Sequence, residues 1–410
     1  RNPSTEDFEY SIKNRFGLKV VLFSRVAILA LPLTLSLSIN NLLMKTFKTH
    51  CAKAIILAAC TALITFSACT NKTRNANYSD SATNTVDANE AVKITPTGPQ
   101  PSWAPNIKPE MLAVIEKLES YKDRPIPELS AVEARKNHTP TDAVMDLIKE
   151  KGIAVPVSKV DTTGRDITVN GGNIHLRIYT PQGAKDVCPI IVYYHGGGFV
   201  IADLDVYDAS ARGLAEQVGA VVVSVAYRLG PEFKYPTAHK DAFAAYEWVL
   251  KNADSIKGDA KKVALAGESA GGNLATNVSM MARDKKMKMP LYQVLVYPVA
   301  NNDVNSESYI KYAMAKPLNK PMMQWFVKNA LSSAEQAADP RISLVKANLT
   351  GMPATLIIGA EIDPLQTEGK LLSDKLKDAG VATDYELYKG VTHEFFGMAA
   401  IVPQAKDAQA

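Results

Sequence analysis

Cysteine is scarce in these 410 residues: four, at positions 51, 60, 69 and 188, with no C-x-x-C pair. A zinc site or a disulfide framework therefore has nothing to build on. The chain also lacks G-x-G-x-x-G, a Walker loop and H-E-x-x-H, so nucleotide-binding and metalloprotease chemistry find no motif. An excess of one charge is missing too. The net charge is +4, and the basic residues form no cluster interleaved with aromatics, which leaves nucleic acid without support as a partner. Neither metal nor cofactor is expected. What remains is 47% hydrophobic and 21% charged, a globular profile with length enough for one large core.

The first methionine is Met44, and a targeting pattern starts there. Lys45, Lys48 and Lys53 form a basic region, 54–66 is an apolar run, and "SAC" ends at Cys69. Such a run is too short to span a bilayer and suits the core of a signal peptide. "FSAC" resembles the lipobox of bacterial lipoproteins, which makes Cys69 the candidate for lipidation. Thr70 rather than Asp after the cysteine then points to the outer membrane. Phe66 in place of the usual Leu keeps ordinary cleavage and secretion as the alternative. Export is expected either way, with membrane contact only through that N-terminal anchor. Residues 1–43 read as non-native upstream sequence or a second anchor. Segment 70–102, rich in Thr, Asn, Ser and Asp with Tyr78 as its one aromatic, reads as a flexible tether.

The folded domain is expected over 103–410. Amphipathic stretches at about 108–121 and 140–151 predict helices, and "DITVNGGNIHLRIYTP" predicts a hairpin about Asn170-Gly171-Gly172. Six apolar runs follow as strands: "IIVYY", "AVVVSVAY", "KVALAG", "YQVLVYP", "ATLIIGA" and "DYELY". Helical patterns at about 208–218, 237–252, 271–283 and 367–379 lie between several of them. Near-continuous apolar strands separated by helices predict an α/β fold, a mostly parallel sheet covered on both faces. Ligands bind such sheets at the carboxyl ends of the strands.

Two glycine-rich turns fall at such ends. Gly267-Glu268-Ser269-Ala270-Gly271 sits between a predicted strand and a predicted helix. Its G-x-S-x-G spacing suits a nucleophile elbow, where small residues flank a strained serine and the helix start offers N–H groups to developing negative charge. A serine needs a base, and the base an orienting acid. Of the six histidines, at 50, 138, 175, 195, 239 and 393, only His393 follows Ser269. Asp363, directly after the strand at 354–359, is the favoured acid, with Glu361 and Asp384 as competitors. The second turn is "YYHGGGFV". Gly197 and Gly198 can bring bare N–H groups against a carbonyl oxygen, with Ala270 as a third donor. His195 and Gly196 are expected to brace this loop.

These segments resemble the hormone-sensitive-lipase-like esterases, bacterial α/β-hydrolases marked by HGGG and G-x-S-A-G. The resemblance covers about 105–410 and includes "YYHGGGFVIADLDVYD", "VAYRLGPEFKYPTAHKDA", "GESAGGN", "DPRIS", "GAEIDPL" and "VTHEFFG", in the family's order. It implies Ser269 as nucleophile, Asp363 as acid, His393 as base, and Gly197, Gly198 and Ala270 as oxyanion hole. It also implies a helical cap from about 103–155 and 305–335. There Met314, Met322, Met323, Trp325 and Phe326 either grip an acyl chain or are plain core. The implied activity is hydrolysis of short- to medium-chain acyl or acetyl esters without a cofactor. Alternatives are a small-molecule binder on the same scaffold, an amidase or a lipase. A small acyl ester is the expected partner, and a homodimer stays open. Three departures stand out: Glu268 where Asp or Thr is commoner, Glu394 where Gly is commoner, and a tail that stops at Ala410 where relatives continue into a final helix.

Overall fold

The computed structural model describes residues 94–184 and 187–410. Segment 1–43, the signal-peptide pattern with Cys69, and tether residues 70–93 lie outside the described residues. Helices come first: α1 (Pro109–Ser120), α2 (Ala131–Ala134) and α3 (Pro140–Lys151). Local chemistry sets the ends of α3. Thr139 and Asp142 form a reciprocal capping box, Pro140 opens the first turn, and Gly152 closes it at φ 61°.

Strands β1 (Val160–Val169) and β2 (Gly172–Pro181) form the antiparallel hairpin. From there strands and helices alternate: β3 (Cys188–Tyr194), α4 (Asp208–Val218), β4 (Val221–Ala226), α5 (Thr237–Asn252), β5 (Gly258–Glu268) and α6 (Ala270–Asp284). Then come β6 (Tyr292–Val296), α7 (Glu307–Lys311), α8 (Lys320–Ala330), β7 (Ala354–Ile362), α9 (Gln366–Asp378), β8 (Thr383–Thr392) and α10 (Pro403–Gln409). The eight strands make one sheet in the order β1-β2-β4-β3-β5-β6-β7-β8, antiparallel only at β1/β2 and β2/β4. Ile190, Val192 and Tyr194 of β3 enter one core with α5 and α6, while Ile191 and Tyr193 enter the other with α4. Burial on both faces is why the strand reads as an unbroken apolar run.

Two readings are refined. Residues 403–409 are not a loose end: they form α10, where Gln409 Nε2 donates to the Phe396 carbonyl at 2.6 Å and Val402 and Ala405 are buried. "VPQAKDAQ" is polar enough to pass for a loose end, and only contact with its neighbours turns it into structure. Residues 94–102 are not free tether either. Ile94 is buried, and the Thr97 and Gly98 N–H groups donate to Glu116 on α1 at 2.7 and 2.8 Å. The short α2 and α7 were not anticipated, because four or five residues carry no readable period.

Parallel strands β3 and β5 to β8 all end at one edge, with the HGGG loop after β3, Ser269 after β5, Asp363 after β7 and His393 after β8.

Candidate active site

Ser269 sits between β5 and α6 at φ 56°, ψ −116°, a conformation that costs a non-glycine residue on the order of 1–3 kcal/mol. Its surroundings hold it there. The Ser269 N–H donates to the Val296 carbonyl at 2.9 Å, and its own carbonyl accepts from Gly272, Asn273 and Val299. The elbow packs against β3 so closely that a Cβ on Gly271 would lie 1.8 Å from the Tyr194 carbonyl oxygen. No side chain fits there.

His393 and Asp363 pair at the ends of β8 and β7. His393 Nδ1 is 2.7 Å from Asp363 Oδ2, and both side chains are buried. Asp363 Oδ1 accepts from the Leu365 N–H at 2.8 Å, which fixes the carboxylate plane. The competing acids are engaged elsewhere: Glu361 accepts from the Gly390 N–H at 2.7 Å, and Asp384 is exposed on β8. Burial opposes a charged His393 imidazolium, but the Asp363 carboxylate, with Glu394 and Glu268 behind it, outweighs this and raises its pKa.

Gly197 and Gly198, at φ 88° and 59°, line the same cavity as Ser269 and His393. Their N–H groups have no hydrogen-bond acceptor among the described residues. A Cβ on Gly198 would lie 2.3 Å from the Phe326 ring of α8, so the backbone there is bare and roofed by an aromatic. Ala270 follows the serine as the first residue of α6. His195 faces away from this chemistry. Its ring stacks on Tyr227 at 4.3 Å, its Nδ1 meets the Gly196 carbonyl at 2.9 Å, and burial lowers its pKa to about 4. The Tyr227 hydroxyl donates to the carbonyls of both His195 and Gly196, so the two residues sit in a braced loop.

The cavity has a volume of about 1170 Å³. Residues from both cap segments line it, including Ile115, Leu118, Met314, Met322, Met323 and Phe326. Trp325 points elsewhere, donating from Nε1 to the Leu129 carbonyl at 2.9 Å in the core. The Met and aromatic stripe therefore divides between cavity wall and core. Among the described residues, no group of three or more His, Cys, Asp or Glu side chains is placed to hold a metal.

Several contributors carry contacts that the sequence did not show. Asn273 donates to the Val299 and Ile342 carbonyls and meets His239 Nε2 at 3.1 Å, which stiffens the helix behind Ser269. Arg135 ties α2 to the loops below through the Val200 and Gly230 carbonyls and a 2.7 Å ion pair with Glu232. Glu268 is buried with the Tyr193 hydroxyl donating to one oxygen at 2.5 Å and the Tyr297 hydroxyl donating to the other. Burial, with Glu394 adding to it, pushes the Glu268 carboxyl up to about 7. A lone Asn, Arg or Tyr carries no spacing signal, so nothing in the linear order marked these contacts.

Comparison with known proteins places the fold in a family. A family model described as alpha/beta hydrolase fold matches residues 191–397. The chain is similar to an ethyl acetate hydrolase of Pseudomonas putida, 30% identical over 74% of this chain and 96% of that one. It also resembles an arylesterase of Saccharolobus solfataricus, 33% identical over 60% of this chain and 80% of the relative. Among solved structures, a hyperthermophilic esterase from Pyrobaculum calidifontis superposes with a TM-score of 0.68 at 35% identity, covering 74% of this chain and 96% of the other.

Proposed function

Because the chain belongs to the α/β-hydrolase family, and within it to the hormone-sensitive-lipase-like esterases, we propose that it is a serine carboxylesterase acting on short- to medium-chain acyl esters, acetyl esters among them. The observation that carries this is the buried 2.7 Å contact between His393 Nδ1 and Asp363 Oδ2, with His393 lining the same cavity as Ser269. With Nδ1–H donated to Asp363, Nε2 is the free base. It takes the Ser269 hydroxyl proton as Oγ bonds to the ester carbonyl carbon and the carbonyl electron pair moves onto oxygen. Gly197, Gly198 and Ala270 donate to that oxyanion. Collapse expels the alcohol, which receives the proton from Nε2. Water repeats the sequence on the acyl-enzyme and releases the acid.

Steady-state hydrolysis of p-nitrophenyl butyrate by Ser269→Ala, His393→Ala and the double variant tests the assignment. Each single change lowers kcat on the order of 10⁴-fold, and the double variant loses little more, because nucleophile and base serve one step. Asp363→Asn loses less than His393→Ala. Near-wild-type turnover by His393→Ala would sink the triad. A wild type that binds acyl esters without turnover on any of them would instead be a binding protein, while a preference for anilides or long acyl chains would make it an amidase or a lipase.

A further inference from the structure

Glu394 directly follows the base and stands at φ 70°, in the left-handed region that a side chain other than glycine's seldom adopts. Strain of this kind persists only where the surroundings over-determine it. Here the Tyr207 hydroxyl donates to Glu394 Oε1 at 2.7 Å. Tyr207 is fixed in turn, its hydroxyl lying so near Gly196 that a Cβ there would come within 2.2 Å. The same Oε1 is 3.9 Å from His393 Nε2, too far for a hydrogen bond and close enough for charge to act on charge. Asp363 approaches the ring from the opposite nitrogen, at Nδ1.

We propose that Glu394 is a positioning residue for the base, its carboxylate stabilising the His393 imidazolium from the Nε2 side and so setting the pH at which hydrolysis begins. The inference rests on the serine-esterase reading. Glu394 exchanges no proton in the reaction: the serine proton goes to Nε2 and on to the leaving alcohol, while the carboxylate supplies only its field. The groups facing His393 are Asp363 from the end of β7, the Tyr297 ring at 4.3 Å from the end of β6, Glu268 from the end of β5, and Glu394 itself. Around Glu394 stand Tyr207, Tyr193, Tyr227, Glu268 and Asp363. Glu268 has two tyrosine hydroxyls spread over its oxygens, and burial holds it partly protonated near neutral pH. Glu394 has one such donor and a side chain 20% exposed to the cavity; burial raises its pKa as well, but the His393 ring beside it and the Tyr207 hydroxyl pull the other way and favour its charged form. Of the pair, Glu394 is the one suited to carry charge next to the base.

Glu394→Gln separates charge from shape, since the amide oxygen still accepts from Tyr207. The acid limb of kcat/KM, which reports the free enzyme's base, is expected to move to lower pH in this variant. Plateau kcat falls about tenfold, and KM stays within about twofold. Glu394→Gly relieves the backbone strain and is expected to shift the limb in the same direction, with an unchanged or higher Tm. An acid limb unmoved in Glu394→Gln overturns the inference. So does a Gln variant that behaves as wild type while the Gly variant loses activity, which would make Glu394 a prop for Tyr207. His393→Ala keeps the two levels apart: if it is inactive while the Gln limb is unmoved, only this inference fails, and if it is active, the triad fails and takes this inference with it.

Discussion

Glu368, five positions after Asp363 in the chain, is a carboxyl buried for another purpose. Its Oε1 accepts from the Ala300 and Asn301 N–H groups at 2.7 and 3.3 Å, which holds the loop after β6 against α9. Its Oε2 has no partner among the described residues. Burial therefore favours the neutral acid and pushes its pKa up to about 8. The sign follows from proton counting. Between the ordinary carboxyl range and pH 8 the folded chain holds a proton that the unfolded chain has lost, so stability falls as pH rises through that window. Glu368→Gln keeps the acceptor and removes the titration. Its Tm relative to wild type should be higher at pH 9 than at pH 6, and an equal difference at both pH values would show that the carboxyl does not titrate on folding. Asp363 illustrates how much single residues reveal in the linear order. It was favoured over Glu361 and Asp384 because it closes a strand before a proline, and the sheet brings it to His393.

At the scale of elements, α8 decides what fits beside the serine. Asn319 caps it by accepting from the Met322 N–H at 2.9 Å, and Pro321 sits in its first turn. Helical spacing then puts Met322, Met323 and Phe326 on the cavity wall while Trp325 turns to the core. Phe326 lies against Gly198, so in the proposed mechanism its ring occupies the space next to the ester carbonyl. Phe326→Ala should raise the ratio of kcat/KM on p-nitrophenyl octanoate to that on the acetate by roughly tenfold, the equivalent of one or two methylenes of pocket. An unchanged ratio would place the acyl chain elsewhere. Stability should drop by about 3 kcal/mol or more, as for other buried Phe→Ala changes, and urea unfolding would read that loss.

The whole molecule brings these parts together because six parallel strands, β4-β3-β5-β6-β7-β8, end at the same edge. Export belongs to this scale too. With Lys45, Lys48 and Lys53 before the apolar run and "FSAC" after it, Cys69 is proposed to be lipidated and to tether the enzyme to a membrane. Metabolic labelling of a bacterium expressing the chain from Met44 with an alkyne fatty acid should mark the wild type and not Cys69→Ala. An unlabelled, released wild type would favour plain secretion.

The sequence by itself determined the alternation of apolar runs and helical patterns, the two glycine-rich turns, and the chain order of Ser269, Asp363 and His393. All of these depend on local spacing, which survives in one dimension. Helix α3 was legible from 140 to 151 because its cap, proline and closing glycine are neighbours in the chain. Only the tertiary structure decided which carboxylate reaches His393, which methionines face the cavity, and that the tail folds into α10. Tertiary packing also decided that Glu394 and Glu268 come together with Tyr193, Tyr207 and Tyr297. Those five side chains come from separate parts of the chain and meet only when the sheet closes, so their pKa shifts, which come from burial and from one another, exist only in the folded molecule.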